Sequence, residues 1–145
     1  MIRRITQNNK LQALILRTNY SHDGIEFFTP PDFSQQLAYM KRPRGYVIQP
    51  HVHNAVAREV MFTKEVLFIK SGVVRVDFYT DDRQYYESAI LNAGDVILLA
   101  FGGHGFEILE EAEIIEVKQG PYAGESDKIR FNSVASLEIN IRGDQ

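Results

Sequence analysis

The chain has 145 residues, of which 44% are hydrophobic and 24% charged, and it carries a formal net charge of −3 and no cysteine. This length and composition suit one globular domain with a substantial core. The absence of cysteine excludes disulfides, thiolate metal ligands and a cysteine nucleophile. The weak negative charge gives no basic field for nucleic acid or anionic lipid, so neither partner is expected.

A cytoplasmic location is the expectation from the apolar pattern. The first residues turn polar at once, unlike a secretory signal. No apolar run approaches the roughly 20 residues that are needed to span a bilayer.

Short strand-like segments separated by turn residues follow one another along the chain. Predicted strands cover residues 11–17, 24–29, 36–41, 46–53, 65–70, 73–80, 85–91, 95–101, 105–110 and 113–118. Ser71-Gly72 predicts a hairpin between two of them. A helical turn is considered only at residues 56–63, and the apolar stretch 134–141 is expected to pack on the body or on a partner. Many short strands without a repeat or a linker predict one all-β domain, a sandwich or barrel, over residues 1–145.

Three of the four histidines fall in a pattern that suits one metal ion. His51 and His53, two residues apart on a predicted strand, point to the same face. Glu65 on the next strand and His104 on a distant one add a carboxylate and a third imidazole. These nitrogen and oxygen donors fit Mn, Fe, Co, Ni or Zn. A histidine pair alone is more often an ordinary surface or pocket pair, so the metal interpretation depends on its surroundings.

The surroundings resemble the cupin superfamily, whose first motif reads G-x5-H-x-H-x(3 or 4)-E-x6-G. Gly45, His51 and His53 fit its first half, and Glu65 and Gly72 fit its second half. Eleven residues separate the second histidine from the glutamate, where the family has three or four. A longer loop absorbs this difference, because each doubling of loop length costs only about 0.6 kcal/mol.

The motif leaves two candidates for the carboxylate ligand, Glu65 and Glu59. Glu59 lies nearer the usual distance from the histidine pair but lacks the following glycine, so it is the alternative carboxylate. The second motif, G-x5-P-x-G-x2-H-x3-N, is matched loosely from Gly94 to His104. Ala100 replaces its proline, the histidine comes one residue early, and the asparagine is missing. The resemblance covers about residues 45–118, with N-terminal strands in 1–44 and a tail in 119–145.

The resemblance implies a cupin-type double-stranded β-helix, a jelly-roll barrel, with a pocket for a small-molecule ligand inside it. It also implies one divalent metal ion on His51, His53, Glu65 and His104. Three imidazoles and one carboxylate leave coordination positions open for water or substrate.

Five further residues are candidates for catalysis or substrate binding. If the last predicted strand turns Glu116 and Lys118 into the barrel, a partly dry cavity suits them to proton transfer; alternatively they form a solvated salt bridge. Arg58 is a candidate donor to an anionic substrate, or a loop residue facing water. Gln49 shares the predicted face of the strand histidines. Tyr39 is a candidate for the pocket wall, or for the core.

The expected function is a metal-dependent enzyme acting on a small polar metabolite such as a sugar derivative. An isomerase or epimerase is favoured by analogy with sugar-active cupins, not by residues of this chain. An Fe(II)-dependent oxygenase, a non-catalytic binding module for a sugar or small acid, and a structural cupin with an empty site are the alternatives. A homodimer is expected, because the apolar segments 11–16 and 134–141 offer strand edges that two copies of the chain can exchange.

Overall fold

The computed structural model describes residues 1–144 and is nearly all-β, which confirms the predicted fold class. The strands are β1 (Ile2–Gln7), β2 (Lys10–Leu16), β3 (Gly24–Phe27), β4 (Ala38–Lys41), β5 (Glu65–Tyr79), β6 (Tyr85–Asn92), β7 (Val96–Leu99) and β8 (Gly103–Lys118). Two 3₁₀ helices follow, at Gly124–Asp127 and Ser136–Glu138. None of the helices formed by residues 1–144 has the length and apolar character needed to span a bilayer.

The chain divides into two compact units. The sheet unit contains Met1–Tyr20 and the chain from Thr63 onward, and the inserted unit is Ser21–Phe62.

The sheet unit is one strongly curled antiparallel sheet that forms a half-barrel, an arrangement compatible with a barrel or jelly roll. The strand order is β1-β2-β7-β5-β6, and β8 pairs with the remaining edge of β5. Strand β2 therefore lies between β1 and β7. The expectation that residues 11–16 offer a free edge for dimerisation was wrong, because both edges of β2 are already paired.

The core lies on the concave face of this sheet, where alternate side chains of β1, β2, β5, β6 and β7 pack together. On β5 these are Leu67, Ile69, Val74, Val76 and Phe78, and they pack with Ile5, Ala13, Ile15, Ala89, Leu91, Ile97 and Leu99 from the same unit. Because β-branched and aromatic side chains fit a pleated surface, this alternation explains why the segments form strands.

A bend at Gly72 turns β5 through the curl of the sheet. The predicted hairpin at Ser71-Gly72 was wrong, because the halves of β5 pair with β8 and not with each other. The two predicted strands 105–110 and 113–118 are likewise one strand, β8. Gly72 has φ +81°, and a Cβ atom there would overlap the carbonyl oxygen of Glu111. Only glycine meets both conditions without strain.

The first strand, β1, was missed by the sequence reading. Ile5 enters the core from this strand, while Arg3 is buried beside Glu87, with 2.8 Å between guanidinium nitrogen and carboxylate oxygen. The sequence does not show this strand clearly, because Arg3 and Arg4 stand between its apolar residues Ile2 and Ile5. A buried arginine is rare unless it is paired, so Arg3 is not expected to face the interior.

The C-terminal tail packs back on the sheet unit, which was one of its two expected positions. Ile141 forms a parallel bridge with Ser88 on β6. Arg17 donates to both carboxylate oxygens of Asp144, at 2.7 and 2.8 Å, and to Asp95 at 2.7 Å. The tail is therefore held by backbone and charged hydrogen bonds more than by apolar burial.

The inserted unit has one small sheet, in which β3 and β4 pair antiparallel. The predicted strand 46–53 is absent, and residues 56–63 form no helical turn. Pro50 interrupts the first segment and has no amide hydrogen to donate to a ladder. The apolar residues of these segments, such as Val47 and Val52, are exposed.

Candidate functional site

Glu65 and His104 meet on the concave face of the sheet unit. Along the β5–β8 ladder they are far apart, because Glu65 pairs with Lys118 at one end and His104 with Phe78 near the other. A straight strand from residue 65 to residue 78 would separate them by about 40 Å. The curl of the sheet instead brings Nε2 of His104 to 3.1 Å from Oε2 of Glu65.

The pair is partly shielded from water, and this sets its electrostatics. The side chains of Glu65 and His104 are 16% and 30% exposed. The hydrogen bond that His104 donates is the largest cause holding the pKa of Glu65 below its usual range, against an opposing effect of burial. Electrostatic attraction to His104 and Lys118 lowers this pKa further. Glu65 is therefore an ionised acceptor at neutral pH.

Glu116 and Lys118 lie on the same face as Glu65. Strand pairing puts Glu116 opposite the core residue Leu67, and side chains that are directly opposite share a face. Nζ of Lys118 is 3.9 Å from Oε1 of Glu116, and the two side chains are 35% and 44% exposed. They form a loose and partly exposed ion pair, as the salt-bridge interpretation expects, and a role in proton transfer stays a prediction.

The turn before His104 is held by residues that the sequence reading did not select. Nε2 of Gln12 donates to the carbonyl oxygens of Tyr79 at 2.7 Å and Gly103 at 3.2 Å. The ring of Phe131 packs edge-on against Tyr79, with centroids 5.0 Å apart. A Cβ atom at Gly103 would lie 3.0 Å from Phe131 and 3.1 Å from Tyr79. The double glycine was the only sequence signal of this close packing.

His51 and His53 belong to the inserted unit, where both are exposed. Their rings are edge to face, with centroids 5.3 Å apart. Nδ1 of His51 lies 3.0 Å from the carbonyl oxygen of Gln49, two residues before it. The histidines are therefore close neighbours, although the strand that was expected to carry them is absent.

The other predicted binding residues also lie in the inserted unit. Arg58, Glu59 and Gln49 are exposed, and Arg58 donates a 3.5 Å hydrogen bond to the carbonyl oxygen of Val56. Tyr39 is half-buried on β4, opposite Glu26.

The nitrogen of His104 and the carboxylate of Glu65 are suitable donors for a divalent transition-metal ion, but they are only two donors. Adjacent ligand atoms around an ion with bonds of about 2.1 Å lie roughly 3 Å apart, which matches the separation of Glu65 and His104. Within residues 1–144 no group of three or more histidine, aspartate or glutamate side chains is arranged to hold a metal ion. Glu65 and His104 thus fit as two ligands of such an ion and need further donors.

Comparison of the chain with protein-family models, with curated proteins and with solved structures finds no match.

Proposed function

We propose that this protein is a metal-binding cupin that acts on a small polar metabolite, with a sugar derivative as the favoured class. The observation that carries the proposal is the contact between Glu65 and His104 across the concave face. These residues occupy motif positions of the resemblance, and they meet although they lie 39 residues apart along the chain. A histidine nitrogen beside an ionised carboxylate is also the donor chemistry that Mn, Fe, Co, Ni and Zn share.

Glu65 and His104 would supply two of the metal ligands. His51 and His53 stay ligands predicted by the spacing of the first motif, and their rings lie close to each other. The ion would act as a Lewis acid that polarises a carbonyl or binds vicinal hydroxyls. Its ligands from the chain would have to be deprotonated, so Nε2 of His104 would exchange its hydrogen bond to Glu65 for a metal bond.

Glu116 is the residue best placed to move a proton in such a site. Its carboxyl group lies next to Glu65 and within 3.9 Å of the Lys118 ammonium, in a position that is still open to solvent. An acid or base also needs a means of exchanging its proton, and the solvent exposure of Glu116 supplies it. Isomerisation or epimerisation is the proposed reaction class, and it rests on analogy with sugar-active cupins.

Metal analysis of untagged protein tests the proposal. We expect one divalent ion per chain in the wild type, lost in His104→Ala and Glu65→Gln and reduced in His51→Ala. His22→Ala is the matched control, because His22 is an exposed histidine of the inserted unit outside both motifs. Each protein is reloaded with Mn, Fe, Co, Ni and Zn before elemental analysis.

The result against the proposal is a wild type that retains no ion after reloading, or variants that retain as much metal as His22→Ala. With the metal known, turnover of a panel of sugars separates an isomerase from a binding protein. Consumption of O₂ by an iron-loaded form would indicate the oxygenase instead.

A further inference from the structure

Strand β8 leaves one edge of the sheet unit unpaired. Among residues 1–144 this strand pairs only with β5, so the backbone groups along its other side have no ladder partner. The first half of β8, residues 103–108, runs beside core residues of β5 in an unbroken register. An exposed strand edge with apolar side chains is a template for pairing with another strand.

Two apolar side chains on this edge continue the core outward. Ile108 lies opposite Val74 and Phe106 lies opposite Val76, so both share the face of the sheet on which the core packs. The two valines are fully buried, but Ile108 is 52% exposed and Phe106 is 38% exposed. The apolar face therefore reaches the edge of the sheet and is not covered there.

Antiparallel pairing restricts how this edge can meet a second copy of itself. Facing residues must both turn their backbone groups to the partner, and these groups alternate along a strand, so a two-fold axis passes through a residue and not between two. An axis at Phe106 puts this ring opposite its own copy and Ile108 opposite His104. An axis at Glu107 puts two glutamates opposite each other, which is destabilising. An axis at Gly105 leaves Ile108 opposite a residue outside β8.

The charges on this edge suit the axis at Phe106. Glu107 is the only carboxylate within residues 104–108, and in this register it faces Gly105, which has no side chain. A guanidinium nitrogen of Arg75 in the same chain lies 2.6 Å from the carboxylate of Glu107. A second copy therefore meets no unpaired carboxylate along the paired segment.

We infer that residues 104–108 of β8 pair with the same residues of a second copy, across a two-fold axis at Phe106. The two curled sheets then join edge to edge, and Phe106 and Ile108 of each copy cover those of the other. So short a paired segment makes a small interface, below about 1,200 Å² in total, and the dimer is therefore reversible and depends on concentration. This interface requires no metal ion and goes beyond the proposed function.

Sedimentation equilibrium of two lysine variants tests this surface. The wild type should pass from monomer to dimer as its concentration rises. Ile108→Lys should raise the dissociation constant at least about tenfold, because each copy loses an apolar side chain that its partner covers. Ile115→Lys is the matched control, since Ile115 is also 52% exposed on β8 but lies outside the paired segment, opposite Phe68. The control should leave the dissociation constant unchanged.

Two results overturn the inferred surface. One is a wild type that stays monomeric at every concentration. The other is an equal dissociation constant in Ile108→Lys and Ile115→Lys, with the urea midpoints of both variants showing that they are folded.

Disulfide cross-linking tests the register, because the chain has no cysteine of its own. Facing Cα atoms of an antiparallel pair lie about 4.5–5.5 Å apart, which a disulfide can span. Phe106→Cys should therefore form a covalent dimer on oxidation by air, seen by denaturing electrophoresis without reductant. In Ile108→Cys the two Cα atoms are about 13 Å apart, and the chain should stay monomeric in the same assay. Equally fast cross-linking of the two variants overturns the axis at Phe106.

Discussion

The two units of this chain treat similar residue patterns in different ways. In the sheet unit, alternating apolar residues such as Val74 and Val76 are fully buried between paired strands. In the inserted unit, the equally apolar run Tyr46-Val47-Ile48 is exposed and forms no strand. Apolar and β-branched residues therefore favour a strand but do not supply the neighbouring strand with which it must pair.

The largest expected difference in the free energy of unfolding is between a phenylalanine-to-alanine substitution in the sheet unit and one in the inserted unit. Phe78→Ala should lower the free energy of unfolding by about 3–5 kcal/mol, because the ring is 0% exposed and its loss leaves a cavity. Phe27→Ala, at a ring that is 61% exposed, should change it by less than about 0.5 kcal/mol. Urea unfolding of both variants measures the difference. Similar losses in the two variants would show that the inserted unit also depends on a packed apolar core.

A smaller loss is expected from the bend in β5. Gly72→Ala should cost about 3 kcal/mol, since it combines a positive φ with overlap on the Glu111 carbonyl oxygen. Gly124→Ala is the control: Gly124 has φ +65°, but no atom lies within 4 Å of the added Cβ. That variant should lose only the backbone strain, about 1 kcal/mol. Equal midpoints of urea unfolding for Gly72→Ala and Gly124→Ala would contradict the expected cost of crowding at residue 72.

The smallest expected effect concerns the tail. Arg17 lowers the pKa of Asp144 through its hydrogen bonds, so this pair adds stability above the ordinary pKa of an aspartate. That contribution is lost as the pH falls through the lowered pKa. Asp144→Asn removes the ion pair at every pH and should lower the free energy of unfolding by about 1 kcal/mol. The protection factor of the Arg142 amide, which donates to Ser88, should fall with acid in the wild type once the intrinsic pH dependence of exchange is divided out. In Asp144→Asn this protection factor should already be low at neutral pH.

The control for this pair is Glu125→Gln, which removes an exposed ion pair with Arg130. Its effect on the same amide should be undetectable. Slow exchange in Asp144→Asn would mean that the backbone bridge to Ser88 is sufficient to hold the tail.

Most strands of the sheet unit were predictable, because their short apolar segments are bounded by turn residues that also end the strands. The continuity of β5 and β8 was not, since Ser-Gly marks a hairpin as readily as a bend, and the choice depends on which strand each half pairs with. The contact of Glu65 with His104 followed from motif order alone. Gln12 and Phe131, which hold the turn before His104, carry no local signal because their partners are distant along the chain.

The hydrogen bond from Arg3 to the carbonyl oxygen of Arg142 joins residues 139 positions apart. Together with the bonds from Arg17 to Asp144, it makes the first two strands and the last residues mutually dependent. Folding rates fall as contacts become more distant in sequence, and mainly β folds with such contacts fold in milliseconds to seconds. The sheet unit should therefore complete its folding late, only after residue 144 has been synthesised.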